Sequence, residues 1–143
     1  MRKSLLHALF ATLTVALAVV LCACGGGAKP EDGVTFKNST DFPLICVYIS
    51  STSEDAWGEH LNDSDIAPGK TAVVSGDALV DGGGVPYDIG ALDGDDIVYE
   101  FYGVTVDTGY TLDISVVDGS PVLTVTDTSG GTQTYEGFLY PFE

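Results

Sequence analysis

From Gly33 onward the chain runs in short stretches of alternating apolar and polar side chains, each closed by Gly, Pro, Asn, Asp or Ser. Successive side chains of a strand point to opposite faces, so this alternation predicts strands with one face toward a core. Val34 and Phe36 alternate with Thr35 and Lys37. The stretch Asn38-Ser39-Thr40-Asp41-Phe42-Pro43 is rich in side chains that hydrogen-bond their own backbone and reads as a turn. Leu44 to Ser50 is apolar at both parities, with Ile45, Val47 and Ile49 on one side and Leu44, Cys46 and Tyr48 on the other. That pattern predicts a strand covered on both faces, with Cys46 as a small buried hydrophobe.

After a Pro68-Gly69 turn, Lys70 to Ser75 predicts a third strand. Tyr87, Ile89 and Ala91 share a face, the chain turns at Asp93-Gly94-Asp95-Asp96, and Ile97, Tyr99 and Phe101 return opposite Val98, Glu100 and Tyr102. The product is a hairpin. Tyr110, Leu112, Ile114 and Val116 alternate with Thr111, Asp113, Ser115 and Val117, and a last pair, Val122 to Thr126 and Gln133 to Tyr140, meets across Ser129-Gly130-Gly131. Ser51 to Asp65 lacks period-2 alternation, and Ser53-Glu54-Asp55 before Gly58 predicts a single helical turn near 53–58. Asp81-Gly82-Gly83-Gly84 reads as a loop without side chains to pack. About seven or eight short strands with scarcely any helix imply an all-β fold, an antiparallel immunoglobulin-like β-sandwich, with a β-barrel as the alternative. Residues 33–143 are read as one such domain.

Upstream of that domain the pattern changes entirely. Arg2 and Lys3 precede a run from Leu5 to Ala23 that is apolar except for His7, Thr12 and Thr14, the layout of an export signal. The run ends in Leu21-Cys22-Ala23-Cys24, which resembles the bacterial lipobox: a Leu three residues before the cleavage point, a small residue just before it, and a cysteine just after. The resemblance implies removal of residues 1–23 as a lipoprotein signal peptide and thioether-linked lipid on Cys24. At ~0.8 kcal/mol per buried methylene, two acyl chains give a stable membrane anchor where one does not. Residues 24–32, opened by Gly25-Gly26-Gly27-Ala28, then act as a flexible tether. The domain is therefore expected to be exported and to lie outside the cytoplasm, lipid-anchored at a cell membrane or outer membrane.

Charge narrows the partners. Residues 24–143 carry all 21 acidic residues against Lys29, Lys37 and Lys70, a formal charge of −18, and no arginine. Nucleic acid is excluded, because binding its phosphates needs a basic patch. With Cys22 and Cys24 set aside, Cys46 has no partner for an intradomain disulfide, so packing must hold the fold.

Candidate chemistry is sparse. His60 is the one histidine after the leader, and no serine lies in a Gly-x-Ser-x-Gly elbow, so nucleophilic catalysis lacks its base and the domain reads as non-catalytic. A lone His and a lone Cys cannot supply the three or four ligands of zinc. Calcium takes oxygen ligands, and two acidic turns offer them: Asp63 and Asp65 in Asn62-Asp63-Ser64-Asp65, and Asp93, Asp95 and Asp96 in Asp93-Gly94-Asp95-Asp96. Aspartate and glycine also occupy such turns for conformational reasons alone. A calcium-dependent binding module is thus the alternative to a module that needs no cofactor. Trp57, Tyr48 and Tyr102 lie off the expected core face and form a possible ligand surface for an envelope protein or a glycan. As cross-strand pairs, or a plug in Trp57's case, they would instead be structural.

The middle of the chain carries Phe36-Lys37-Asn38-Ser39-Thr40, Val47-Tyr48-Ile49-Ser50, Trp57-Gly58-Glu59-His60-Leu61, Ile66-Ala67-Pro68-Gly69, Tyr87-Asp88-Ile89 and Tyr99-Glu100-Phe101. Over residues 34–105 this pattern resembles a family of small secreted bacterial β-domains of unknown function. Gly90-Ala91 departs from it where a basic residue usually follows, and the last hairpin lies outside it. The resemblance implies a fold rather than a task.

Overall fold

The computed structural model describes residues 28–143; the leader 1–23, Cys24 and the first part of the tether lie outside the described residues. Among the described residues nine strands stack as two sheets. They are β1 Gly33–Ser39, β2 Leu44–Ser51, β3 Thr71–Ser75, β4 Val85–Asp93, β5 Ile97–Val106, β6 Thr111–Val117, β7 Ser120–Thr126, β8 Thr132–Glu136 and β9 Phe138–Pro141. One sheet has the order β3-β1-β6-β7-β8 and the other β2-β4-β5-β9. The domain is a β-sandwich, and its sheets keep free edges, so the barrel alternative falls. Every pairing is antiparallel except that of β1 with β6, where Thr35 lies opposite Thr111 and Ser39 opposite Ser115 in parallel register. The chain crosses between the sheets repeatedly, so strands far apart in sequence become neighbours.

The core lies between the sheets. Val34 and Phe36 of β1, Leu112 and Ile114 of β6, and Leu123 and Val125 of β7 face Val47, Ile49, Tyr87, Ile89, Ala91, Tyr99 and Phe101 of the opposite sheet. These are the alternating apolar positions of the sequence, and each Å² of apolar surface removed from water contributes ~25 cal/mol.

Three local features depart from the sequence expectation. Residues 53–58 form no helix: one backbone bond from Glu54 to Ser51 (3.1 Å) closes a turn, and Gly58 takes a left-handed φ of 75°. The helical pieces among the described residues are three-residue 3₁₀ turns, Pro30–Asp32 and Gly76–Ala78. In β2, a register shift between Leu44 and Cys46 sends Leu44 into the main core with Val47 and Ile49 and moves Ile45 to the other face. A bulge reverses parity in this way by adding one residue to one strand. The last expected strand, Gln133 to Tyr140, breaks at Gly137, leaving β8 on one sheet and β9 on the other. A Cβ at Gly137 would stand 2.5 Å from the Glu100 carbonyl and the Phe101 ring, so only glycine fits where the chain steps between layers.

Strand directions define two ends of the sandwich. Ala28 to Asp32, the 107–110 and 127–131 turns and the loop before β4 gather at the end where β1 begins, joined by the bonds Gly109 N–H to Gly33 O (2.7 Å) and Gly84 N–H to Val106 O (2.8 Å). The turns at 40–43, 94–96 and 118–119 lie at the opposite end. The chain from the tether thus enters at one end, and three turns cap the other.

Candidate functional site

The outer face of the four-stranded sheet holds the aromatic residues singled out from the sequence. Register places Tyr48, Gly90, Glu100 and Phe138 in one row across β2, β4, β5 and β9, with Cys46, Leu92, Val98 and Tyr140 in the next. Trp57 reaches back over this face from the β2–β3 connection. Its ring lies where a Cβ on Gly90 would approach to 3.0–3.1 Å, and its centroid is 6.0 Å from that of Tyr48. Together Cys46, Tyr48, Trp57, Leu92 and Val98 make a second, smaller core. Tyr48 is 0% and Trp57 3% exposed, so neither offers a ring to solvent, and their reading as a ligand surface gives way to that of a plug. Tyr102 is half-buried, packs edge-on against Phe138 at 5.9 Å, and donates its hydroxyl to Glu100.

Glu100 is fully buried and accepts from the hydroxyls of both Tyr102 and Tyr140. Asp88, also buried, accepts from the Gly103 amide at 3.1 Å, where Gly103 has a left-handed φ of 66°. Hydrogen bonds supplied by the fold offset the cost of burying polar groups. Burial pushes the Cys46 thiol and the Tyr48 hydroxyl up from their ordinary pKa values, so the thiol stays protonated and unreactive.

The acidic turns are organised from within. In the 62–65 turn Asn62, not an acid, is buried: its Oδ1 accepts from the Val47 amide (2.8 Å) and its Nδ2 donates to the carbonyls of Ile45 (3.0 Å) and Ser64 (3.0 Å). This side chain satisfies the open edge of β2, while Asp63 and Asp65 stay exposed. In the 93–96 turn Asp93 is buried, its Oδ1 accepting from the amides of Asp95 (2.9 Å) and Ile97 (3.0 Å) and its Oδ2 from the Tyr99 hydroxyl (2.7 Å). Asp93 therefore frames its turn, and Asp95 and Asp96 project outward. Among the described residues no group of three or more His, Cys, Asp or Glu is arranged to hold a metal ion.

Concave apolar surface is found instead at the end away from the tether. There a cleft of about 260 Å³ opens between the sheets, lined by Ser39, Thr40, Asp41, Phe42, Asp93, Ile97, Tyr99, Val116 and Leu139. Phe42, Val116 and Leu139 are large hydrophobics left 43%, 40% and 38% exposed. Each comes from a different part of the chain: the β1–β2 turn, the end of β6 in one sheet, and β9 in the other. Asn38 fixes the turn that presents Phe42, donating to the carbonyls of Phe42 (2.8 Å) and Ile66 (2.7 Å) and accepting from the Thr40 amide (2.9 Å). Deeper in, burial and the adjacent Asp93 carboxylate push the Tyr99 hydroxyl up, so it remains a donor. At the tether end a cleft of about 200 Å³ is lined mostly by polar groups, among them Thr105, Asp127, Thr132 and Gln133.

Of the residues picked from the sequence, only Asp93 belongs to the apolar cleft. Phe42, Val116 and Leu139 were not among them, yet two carry a local signal: Phe42 is a bulky aromatic within a polar turn, and Val116-Val117 breaks the alternation of its strand. Leu139 carries none, because its position follows from the break at Gly137. The chain matches no protein-family model, no curated protein and no solved structure.

Proposed function

We propose that this chain is an exported lipoprotein whose acidic β-sandwich is a non-catalytic binding module held at a membrane surface. The observation that carries the reading is Leu21-Cys22-Ala23-Cys24 directly after a long apolar run with Arg2 and Lys3 ahead of it. A small residue before the cysteine suits peptidase cleavage there, and the glycines after it give the slack a folded domain needs to stand off a bilayer. Among the described residues no helix is long and apolar enough to cross a membrane. With Tyr48 and Trp57 buried, the exposed apolar side chains that converge on the distal cleft, Phe42, Val116 and Leu139, support a protein partner whose apolar side chains insert there. The end of the sandwich opposite the tether is then the face turned to that partner.

Labelled fatty acid fed to cells making the wild type and Cys24→Ser tests the anchor. The wild type is expected to take up label, lose residues 1–23 and fractionate with membranes, while Cys24→Ser does none of these. A native product that retains the leader, or carries an unmodified sulfur at Cys24, overturns the proposal.

A further inference from the structure

We propose that the cleft framed by Phe42, Val116 and Leu139 receives a cationic segment of a partner protein that inserts one or two bulky apolar side chains. The proposal rests on the reading of the domain as a binding module and supplies the chemistry of its partner. Three features of the cleft point the same way.

Size comes first. Sites that enclose a whole small molecule usually run ~300–1,000 Å³, and this cleft, at about 260 Å³, falls just below that range. It suits side chains delivered by a larger partner.

Second, much of the wall is apolar and exposed, and it is flanked by polar groups and acidic turns. Phe42, Val116 and Leu139 converge from separate elements on one opening. An apolar centre ringed by polar residues is the usual anatomy of a protein interface, where a few buried anchors carry most of the affinity.

Third comes charge. Asp41 lines the cleft, and Asp95, Asp96 and Asp118 are exposed in the adjoining turns at the same end. No lysine lines it; Lys37 is held by Asp113 at 3.3 Å, and Lys70 lies outside the cleft, just before β3. At this end the exposed Asp41, Asp95, Asp96 and Asp118 outnumber the exposed Lys70, so the rim is net anionic; it attracts a cationic partner and repels an acidic one, a second copy of this chain included.

The full chain, purified as cells make it and reconstituted in phosphatidylcholine vesicles, is titrated with three labelled peptides. Lys-Leu-Lys-Phe-Lys-Leu-Lys carries both required features, Lys-Gly-Lys-Ser-Lys-Gly-Lys lacks the apolar side chains, and Glu-Leu-Glu-Phe-Glu-Leu-Glu reverses the charge. Protein-free vesicles set the background. Saturable binding is expected for the first peptide alone, weakening as salt rises because screening acts over ~10 Å at 0.1 M. Phe42→Ser and Leu139→Ser are each expected to weaken it about tenfold, as loss of a buried anchor does. Val80→Ser, at the tether end and 72% exposed in the wild type, is expected to leave it unchanged. Equal binding of the first two peptides, binding of the acidic peptide, or indifference to both cleft substitutions overturns the proposal. Intact mass of the same preparation reports acylation of Cys24 separately. A lipidated chain that binds nothing sinks this inference alone, and an unlipidated chain that binds sinks only the anchor.

Discussion

The two faces of the four-stranded sheet are closed by different means. Its inner face meets another sheet, and Val47, Ile49, Ile89, Ala91 and Phe101 need only be apolar at every second position to be covered. Its outer face meets no sheet. One loop residue, Trp57, lies across Gly90 and Tyr48, and the buried acids of that face are satisfied one by one, Glu100 by two tyrosines and Asp88 by a backbone amide. A periodic cover tolerates a periodic sequence, whereas a single-residue cover demands a glycine beneath it and matched donors around it. The outer face is thus more polar, rests on fewer side chains and is easier to open.

Truncation on each face tests this contrast most strongly. Phe101→Ala is expected to cost about 3–5 kcal/mol in chemical denaturation, the usual range for a buried aromatic. Trp57→Ala is expected near the lower end, about 3 kcal/mol, because the loop can collapse onto the space it leaves. A Trp57→Ala protein as stable as wild type would break the contrast and return Trp57 to the ligand surface.

Glu100→Gln is expected to be smaller, about 1–3 kcal/mol, since the amide NH2 can only donate to one tyrosine oxygen and leaves that tyrosine's own proton without its acceptor. Adding Tyr140→Phe removes one of the two hydroxyls that depend on this acceptor, so the double variant should lose less than the sum of the single ones. Strict additivity would show that the three groups do not act together.

Tyrosine ionisation reads both faces at once. Burial raises Tyr48 on the outer face and Tyr87 and Tyr99 on the inner one above the ordinary 10.0. The fold favours their neutral form, so their contribution is complete below pH 10.0 and is lost as pH climbs beyond it. Absorbance at 295 nm should show the exposed tyrosines titrating first and these three only together with alkaline unfolding. If all titrate in one phase with circular dichroism unchanged, the assigned burial is wrong. The smallest effect is expected at the cleft: Phe42→Ser should cost about 1 kcal/mol, because a side chain 43% exposed has less burial to lose than a core aromatic. A larger loss would make the cleft part of the core rather than a site.

Much of the fold is legible in the residues. The inner face can be read from Val34 and Phe36, from Tyr87, Ile89 and Ala91, and from Leu112 and Ile114, because the strand period of two is a local property. The parity of Leu44 and Ile45 is not, since the bulge arises only when β2 aligns against β4. The candidate site is less legible still. Asp93 can be singled out as an acid in a turn, but its role as the frame of that turn depends on the Tyr99 hydroxyl arriving from β5.

By itself the sequence determined the all-β class, the sandwich, the turn positions and the excess of negative charge, together with the leader and cysteine pattern on which the proposed anchor rests. Each is set by residue type and short-range order, which act before any long-range contact exists. Only the tertiary structure decided that β1 runs parallel to β6, that Trp57 turns inward, that Gly137 passes the chain from one layer to the other, and that Phe42, Val116 and Leu139 meet in one cleft. Those outcomes depend on which distant segments become neighbours. That choice is made by the packing of the whole chain, where no local pattern records the partner.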